Sequence, residues 1–493
     1  MRMANKPNSK RKSPKRWRAW RGFVLCAALA GACGDDRGAD DGAGSGWTSF
    51  GRDQAHSRSN PAESEITVET VGSLELAWEV DAPGVTSTPI VHEGVVYWSD
   101  WSGGIHASDL ADGAMRWSVE YPEGEKSGSS GTPTLLDGAL YVVTRAGTVM
   151  RLDAANGDIA WETSIEAGDH ILVYSSPTVV DGLLIIGVCG NGSSQDGVSL
   201  DLAILETFHG SVQAFDTETG AQRWAFDTTL FEGQQYGPGV GVWSTATVDT
   251  ERGIAYIGTG NGYDAPVSPL SDSLLALDYR TGEYVWHTQY TADDAFRRGV
   301  PDTGPDADVG AAPNLFEIDG RAVVGVGDKG GVYRVHDRQD GELVWEKSIR
   351  PGYFIGGIMA PAALHDGTLY VASNNGADNT SNYTFALDAS TGDRLWQVST
   401  FGTRGFGAPT YAGGVVYGGD SGTSEGGTVP DASTMYAFDA ADGSELWSEQ
   451  LPGGRGGGIT VVDGTLLVGH GYHFQVPSAM PVVGGLRAYR PKP

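Results

Sequence analysis

One pattern repeated seven times constrains the fold of this chain more than any other feature. Each copy is a short apolar stretch ending in Asp, with a Gly four residues later and a Trp four residues after that. The copies run through most of the sequence, and their tryptophans are Trp117, Trp161, Trp224, Trp286, Trp345, Trp396 and Trp447. The chain is therefore built from one structural unit used many times.

Asp-x-x-x-Gly is typical of a tight turn between strands, because Asp bonds nearby backbone and Gly accepts a positive φ. The Trp that follows is large enough to wedge between neighbouring sheets. Short apolar runs after a turn, such as residues 94–98, 138–143 and 367–372, indicate buried strands between the copies. Each unit thus has about four strands, and repeats of this size predict a propeller.

The two ends of the repeat region supply an eighth unit. Trp78 has no Asp–Gly turn before it, and Tyr489 has no Trp after it. We predict an all-β, eight-bladed β-propeller of four-stranded blades, closed by pairing of residues 74–78 with the C-terminal blade. This fold occupies residues 47–493 as one domain, although a length of 493 residues alone suggests about three.

The net charge of −29 is unevenly distributed. The first 33 residues hold nine of the 33 Lys and Arg but none of the 62 Asp and Glu, so the rest of the chain is strongly acidic. An acidic chain cannot displace counterions from nucleic acid, which excludes that class of partner. Solubility is the simplest interpretation of the acidity, with a metal ion or a cationic partner as the alternatives.

The N-terminus has the features of an export signal. A basic run to Arg21 precedes an apolar stretch over residues 22–32, which is too short to span a bilayer. Small residues directly before Cys33 resemble a bacterial lipobox, making Cys33 the lipidation candidate. Ala30 stands where Leu is usual, so plain secretion stays open. Residues 34–46 read as a disordered Gly/Asp/Ala tether.

These features predict a protein of the cell envelope, on the periplasmic side or as an outer-membrane lipoprotein, with membrane attachment only through the lipid. Cys189 is then the one remaining cysteine of the folded domain, which excludes an internal disulfide. Cys-x-x-Cys-His is absent from the sequence, so the chain itself carries no c-type haem attachment motif.

The repeat resembles that of the pyrroloquinoline quinone (PQQ) propellers over nearly all of the mature chain. Residues 47–61 and 304–310 are similar to the polyvinyl-alcohol dehydrogenase branch. The same repeat also occurs in the lipoprotein subunit of the outer-membrane barrel-assembly machine, so a non-catalytic envelope scaffold is the alternative. Three consecutive long Trp intervals, from Trp161 to Trp345, favour an enzyme if they are not drift, because inserted loops usually build a site.

The resemblance implies a set of site residues. Trp243 matches the Trp that stacks on the quinone, with an ordinary core aromatic as the alternative. Asn261 matches an amide ligand of calcium, although Asn261-Gly262 would also suit a turn. Glu206 resembles the carboxylate ligand, in a segment one residue shorter than the family's. Lys329 matches the cation that contacts the quinone, where an anion develops on reduction.

The segment Asp306-Ala-Asp308 resembles the family's Asp-aromatic-Asp. There the first Asp is the general base, and the second is an added ligand that favours a lanthanide. Extended spacing places both carboxylates on one face. The resemblance therefore implies PQQ with calcium or a lanthanide, and metal-assisted oxidation of a small-molecule or polymeric alcohol. Electrons would pass to a separate cytochrome, for which a cationic partner suits the acidic surface, and we expect a monomer.

Two segments depart from the family. Residues 126–132 contain no cysteine where the enzymes have an adjacent pair, and Met359 lies in a segment where many enzymes have polar and Trp residues. A thioether can still pack on a ring. Both departures weaken the expectation of tight quinone binding.

Three other motifs carry no function in this interpretation. Residues 325–330 match Gly-x-Gly-x-x-Gly, but a predicted strand follows where a dinucleotide site needs a helix. Ser421 lies in a protease-like Gly-Asp-Ser-Gly at a blade turn, with no sign of the matching fold. His470 and His473 have no evident third ligand, so they are interpreted as isolated histidines.

Overall fold

The computed structural model describes residues 46–121, 131–166, 171–190, 207–297, 300–350, 352, 356–374, 382–400, 405–422, 432–471 and 484–492. The predicted leader, Cys33 and residues 34–45 of the predicted tether lie outside them, and these assignments stay predictions. Within the described residues, no helix has the length and apolar character needed to cross a membrane.

The first four blades each contain four antiparallel strands in chain order. Their bounds are Ile90–His92, Val95–Ser99, Gly104–Asp109 and Met115–Glu120 in blade 1; Thr134–Leu136, Ala139–Val143, Thr148–Asp153 and Ile159–Ser164 in blade 2; Thr178–Val180, Leu183–Gly190, Ser211–Asp216 and Gln222–Asp227 in blade 3; and Thr247–Asp249, Ile254–Gly258, Ser273–Asp278 and Tyr284–Gln289 in blade 4.

The last four blades follow the same order. Their bounds are Asn314–Ile318, Arg321–Gly327, Val332–Asp337 and Leu343–Ser348 in blade 5; Ala363–His365, Thr368–Ser373, Tyr383–Asp388 and Arg394–Ser399 in blade 6; Thr410–Ala412, Val415–Gly419, Ser433–Asp439 and Glu445–Leu451 in blade 7; and Ile459–Val462, Thr465–His470, Gly484–Pro491 and the early strand Leu74–Ala82 in blade 8. The predicted eight-bladed, four-stranded, all-β fold is confirmed.

Short elements lie outside this scheme: the strands Ser59–Asn60, Ile171–Leu172, Leu230–Phe231 and Gln234–Gln235, and the 3-10 turn Val71–Ser73. The first strands of neighbouring blades meet one another, which places them nearest the propeller axis. Blade 8 is closed as predicted, because Leu74–Ala82 pairs antiparallel with Gly484–Pro491 and sets Trp78 opposite Ala488.

The structure explains the repeated Asp, Gly and Trp as one interlocking contact between blades. Each turn Gly has a positive φ and packs on the Trp of the preceding blade; a Cβ at Gly157, for example, would lie 2.7 Å from Trp117. The same Trp117 donates its indole N–H to the carbonyl oxygen of Ala154 in that turn, at 2.9 Å. The contact recurs from Gly113 on Trp78 to Gly443 on Trp396. The predicted wedging of Trp between sheets is therefore confirmed.

Residues 47–60, called here the N-terminal strap, reach the first strand of every blade. Backbone bonds join the strap to Val91, Leu135, Leu315, Leu364 and Tyr411 of blades 1, 2, 5, 6 and 7. Side chains complete the circuit through Val179 of blade 3, Thr247 of blade 4 and Val461 of blade 8. The strap therefore holds the first strands of all eight blades together.

Candidate active site

Five of the six site residues named from the sequence converge where blades 4 and 5 meet the axis. Trp243 precedes the first strand of blade 4 and Asn261 follows its second strand, while Asp306 and Asp308 precede blade 5 and Lys329 follows its second strand. We call these five residues the axial mouth. Glu206 lies outside the described residues, and its role stays a prediction.

Asp308 is the hub of the axial mouth. Its Oδ2 accepts from Lys329 Nζ at 2.6 Å and from Trp243 Nε1 at 3.1 Å, and its Oδ1 accepts from the Asn261 backbone N–H at 2.9 Å. One buried carboxylate thus fixes the indole, the ammonium and the Asn261 backbone relative to one another. Three of its roughly four acceptor sites are used.

Lys329 lies between the two carboxylates and beside the indole. Its Nζ donates to Asp306 Oδ1 at 2.9 Å and lies 5.5 Å from the centroid of the Trp243 ring. Burial alone lowers the pKa of Lys329, but the carboxylates of Asp308 and Asp306 outweigh it and raise that pKa. The mouth therefore holds a fixed positive charge at neutral pH.

The Asp306 carboxyl is buried, and its backbone has a φ of 62°. Burial raises its pKa, the Lys329 ammonium lowers it, and the Asp308 charge raises it again, giving about 7. A carboxyl with a pKa near neutrality takes and releases protons more readily than an ordinary Asp. This is the property that a general base needs.

Asn261 presents an oxygen to the mouth. Its Nδ2 donates to the carbonyl oxygens of Gly262 and Phe296, the latter at 3.1 Å, which fixes the orientation of the amide. No donor among the described residues bonds to its Oδ1. An oriented amide oxygen suits a hard cation such as calcium.

The described residues contain no group of three His, Cys, Asp or Glu side chains placed to hold a metal ion. Oxygen donors at the mouth include Asn261 Oδ1, the Asp306 carboxyl and the one acceptor site of Asp308 that is not used. Their chemistry fits calcium or a lanthanide as part of a site, to which the predicted Glu206 would add a further carboxylate.

A cavity of about 150 Å³ lies along the axis next to Trp243. It is bounded by Trp243, Met359 and Phe50 of the N-terminal strap, and by one arc of hydroxyls from Thr88, Thr132, Ser176 and Thr245. Each hydroxyl oxygen accepts a backbone N–H from the preceding blade, as Ser176 does from Thr132 at 2.9 Å. The opposite arc is apolar, with Ala312, Pro361 and Ala408.

Gly310 supports the Trp243 ring. A Cβ added at Gly310 would overlap the far edge of the indole, so any other residue displaces the ring. We expect Gly310→Ala to shift the tryptophan emission and to weaken binding of the quinone that the resemblance implies at least ten-fold, with little change in melting temperature. Gly72→Ala is the matched control, since Gly72 has an ordinary backbone conformation and a Cβ there would meet nothing closer than 3.6 Å. Unchanged quinone affinity in Gly310→Ala would show that the ring position is irrelevant to binding.

Two family models match the chain. Residues 166–351 match the PQQ model described as the glucose/ethanol/alcohol dehydrogenase β-propeller domain. Residues 69–194 and 328–476, more than half of the chain, match the related model described as outer membrane protein assembly factor BamB. The chain belongs to the PQQ β-propeller family. The resemblance inferred from the repeat is thereby confirmed.

Curated relatives of this PQQ propeller are alcohol dehydrogenases. It is 34% identical to a polyvinylalcohol dehydrogenase of Pseudomonas sp. over 184 residues, covering 33% of this chain and 29% of the relative. It is 31% identical to the quinohemoprotein alcohol dehydrogenase ADH IIB of Pseudomonas putida over 370 residues, covering 65% of this chain and 51% of the relative. The chain thus spans about half or less of the curated relatives it matches.

Solved structures share the propeller fold. The quinohemoprotein alcohol dehydrogenase from Comamonas testosteroni matches with a TM-score of 0.72 at 21% identity, covering 90% of this chain and 80% of that one. A europium-containing methanol dehydrogenase matches with a TM-score of 0.72 at 18% identity, covering 90% of this chain and 98% of that one. At these identities the likeness concerns the fold.

Sequence reasoning missed several neighbours of the axial mouth in this PQQ propeller. Tyr263 and Asp272 both feel the charges of Asp306 and Asp308; burial, then the charges of Asp308, Asp294 and Asp306, raise the pKa of Asp272 well above its usual value. Cys189 is a buried free thiol whose pKa burial and Asp308 raise to about 12. Their spacing in the chain carries no motif, so only the fold brings them to the mouth.

Of the motifs set aside in the sequence, the Gly-x-Gly-x-x-Gly segment behaves as predicted, whereas His470 is not isolated, because it ends the strand Thr465–His470 and pairs with Glu79. A strand, Val332–Asp337, follows the Gly-x-Gly-x-x-Gly segment. Ser421 accepts the backbone N–H of Phe406, and His470 Nε2 lies 3.3 Å from Glu79 Oε1. His473 lies outside the described residues, as does the greater part of the cysteine-free segment 126–132.

Proposed function

We propose that this PQQ propeller oxidises an alcohol with PQQ as the bound oxidant. The observation that carries the proposal is the convergence of an aromatic ring, a buried ammonium and two buried carboxylates at one end of the axis. The matches to the alcohol dehydrogenase propeller model and to curated alcohol dehydrogenases support it.

The residues at the axial mouth fit a flat quinone. Trp243 is held by Asp308 and Gly310 as a rigid platform, and Lys329 projects beside its ring. When bound, the quinone would accept hydride from the alcohol carbon. Lys329 would stabilise the negative charge that develops on a quinone oxygen, since its own charge is fixed by two carboxylates.

Asp306 would take the proton of the alcohol hydroxyl. Its carboxylate is buried, carries a pKa near neutrality, and is oriented by Lys329. Burial keeps water from competing for the proton, while Asp308 ensures that Lys329 stays charged as Asp306 changes protonation. Asp306 and Lys329 thus divide proton transfer and charge stabilisation between them.

Asn261 and Asp308, with Glu206, would hold a calcium or lanthanide ion. The oriented Oδ1 of Asn261 is the donor that best supports this, and a europium-containing methanol dehydrogenase shares the fold. A bound ion supplies Lewis-acid polarisation of a carbonyl oxygen. Asp308 accepts two bonds through Oδ2 and one through Oδ1, so one acceptor site on Oδ1 would be left for ligation.

The wider setting is proposed on the same basis. The substrate is a small-molecule or polymeric alcohol, in keeping with the polyvinylalcohol dehydrogenase relatives. Electrons leave to a separate cytochrome, which docks by its positive charge on the acidic propeller. The protein is exported, with Cys33 as its lipid anchor, and acts as a monomer in the cell envelope.

Reconstitution tests the proposal. The purified full chain is mixed with PQQ and calcium or lanthanum, and alcohol-dependent dye reduction is measured for primary, secondary and polymeric alcohols. We expect metal-dependent quinone binding, a rise in melting temperature and dye reduction. If neither binding nor the rise is seen, the alternative of a non-catalytic envelope scaffold, to which the BamB model match belongs, is correct.

A further inference from the structure

A second cation, Arg145, lies in the same type of loop as Lys329 but three blades away. In both loops a side-chain oxygen caps the turn: Thr144 Oγ1 accepts from the Thr148 N–H at 3.0 Å, and Asp328 Oδ1 accepts from the Val332 N–H at 3.0 Å. The residue after the cap is Arg145 in one loop and Lys329 in the other. The repeat therefore gives the two cations equivalent positions around the axis.

Blade 1 repeats this loop with an aromatic residue in the same position. Asp100 caps it by accepting the Gly104 N–H at 2.9 Å, and the next residue is Trp101. The guanidinium carbon of Arg145 lies 4.2 Å from the centroid of the Trp101 ring and 6.0 Å from that of Tyr174. Since Tyr174 lines the same cavity as Trp243, Arg145 lies at the Trp243 end of the axis.

The two cations differ in how their charge is compensated. Lys329 contacts two carboxylates, whereas Arg145 has no ion-pair partner among the described residues. The Nε–H of Arg145 is buried and bonds to no acceptor there. A buried donor on an uncompensated cation is unfavourable unless an anion completes it.

The shape of this group narrows the ligand. Stacking on Trp101 covers one face of the guanidinium, a side-chain hydrogen bond with Tyr174 uses part of its edge, and the buried Nε–H is left as an unused donor. The Nε–H and a terminal N–H on that edge match the two oxygens of a carboxylate. A single point charge, such as a halide, would use only one of them.

We propose that Arg145 is a carboxylate-binding residue for the ligand held at the Trp243 end of the axis. Two sources share this chemistry: an acid group of the quinone, which is a tricarboxylic acid, or the acid group of a hydroxy-acid substrate. The identity of the ligand rests on the proposed function. That the ligand carries a carboxylate is inferred from the surroundings of Arg145 alone.

The experiment compares the full chain with Arg145→Gln, titrated with PQQ and with its trimethyl ester while tryptophan emission is followed. For the quinone source, we expect Arg145→Gln to weaken PQQ binding roughly ten- to a hundred-fold and to leave ester binding unchanged. Arg145→Lys keeps the positive charge but cannot donate two parallel hydrogen bonds to a carboxylate. Its affinity for PQQ should lie between those of the unmodified chain and of Arg145→Gln. Arg116→Gln, which removes an equal charge from an exposed pair with Asp109, is the matched control.

Other outcomes separate the alternatives. Unchanged PQQ affinity in Arg145→Gln, with a ten-fold or greater rise in KM for a 2-hydroxy acid but not for a neutral alcohol, assigns the carboxylate to the substrate. Equal effects on acid and ester, or no effect on any ligand, overturn the inference and leave the proposed function intact. If the unmodified chain binds no PQQ, the proposed function fails. Quinoline-2-carboxylate then replaces PQQ, and equal binding to both proteins overturns the inference.

Discussion

Asp306→Asn is expected to reduce alcohol oxidation by the reconstituted protein by roughly a hundred- to ten-thousand-fold, the usual contribution of a general base. Asn has the size of Asp and its Oδ1 still accepts from Lys329, but it cannot take a proton. Lys329 keeps Asp308 as a charged partner, so no buried ammonium is left unpaired. The loss is therefore expected in kcat, with the Kd for PQQ changed less than about three-fold.

Asp302→Asn is the matched control for this prediction. Asp302 lies on the exposed part of the same loop, has a positive φ like Asp306, and carries the same charge. Its replacement should leave kcat and quinone affinity unchanged. A variant Asp306→Asn that keeps a tenth or more of the activity would remove Asp306 from the proton transfer. A parallel loss of quinone binding would instead make it a binding residue.

Asp308→Asn distinguishes the two carboxylates. The Asp308 oxygens accept hydrogen bonds from Lys329, Trp243 and the Asn261 backbone. Weaker hydrogen bonds to the Asn side chain would therefore loosen the Trp243 ring, the Lys329 ammonium and the Asn261 backbone together. The sequence interpretation made Asp308 a metal ligand beside a general base. The structure adds a positioning role that the local spacing Asp-Ala-Asp does not contain, because its partners lie 65, 47 and 21 residues away along the chain.

What the sequence predicted well is the part of the fold that repeats. The Asp, Gly and Trp of each unit lie within nine residues of one another, and the same pattern occurs seven times. Each copy therefore supports the same prediction of a repeated blade. Lys329 and Asn261 were found through motifs that sit in the loops of single blades. Arg145 occupies the loop position of Lys329 but has no motif of its own, and only superposing the blade loops identifies it.

What the sequence did not predict depends on contacts distant along the chain. Nothing in residues 47–60 indicates that they cross the first strands of eight blades, because their partners extend to Val461. The axial cavity is likewise formed by residues from many blades, each unremarkable where it stands in the sequence. Periodicity predicts what recurs, and a single non-repeating segment gives no such signal.

The N-terminal strap leads to the second large effect. Arg58 is fully buried, and its side chain joins the strap to blades 7 and 8. Its Nε donates to the Pro409 carbonyl oxygen at 2.9 Å, and its Nη2 to Thr410 Oγ1 at 3.1 Å and the Ile459 carbonyl oxygen at 3.4 Å. Burial, and then the charge of Arg455, lower the pKa of Arg58 to about 9.

Arg58→Ala is therefore expected to lower the free energy of unfolding by roughly 4 kcal/mol, measured by urea denaturation. The change removes the packing of the guanidinium on Trp47 and Phe50 and leaves buried carbonyl oxygens without donors. Arg58→Lys keeps the positive charge but not the planar set of guanidinium donors, so about half of that decrease in the free energy of unfolding is expected.

Arg321→Ala is the control, since Arg321 forms an exposed pair with Asp337 and Glu342 and such pairs contribute at most about 1 kcal/mol. The location of the damage is a second readout. If Arg58 fastens the strap, limited proteolysis of Arg58→Ala should cut within residues 47–60 before any blade is cut. Equal stability losses in Arg58→Ala and Arg321→Ala would contradict this role. Cleavage that begins in the blades would do so as well, because the strap would then be held by its backbone bonds alone.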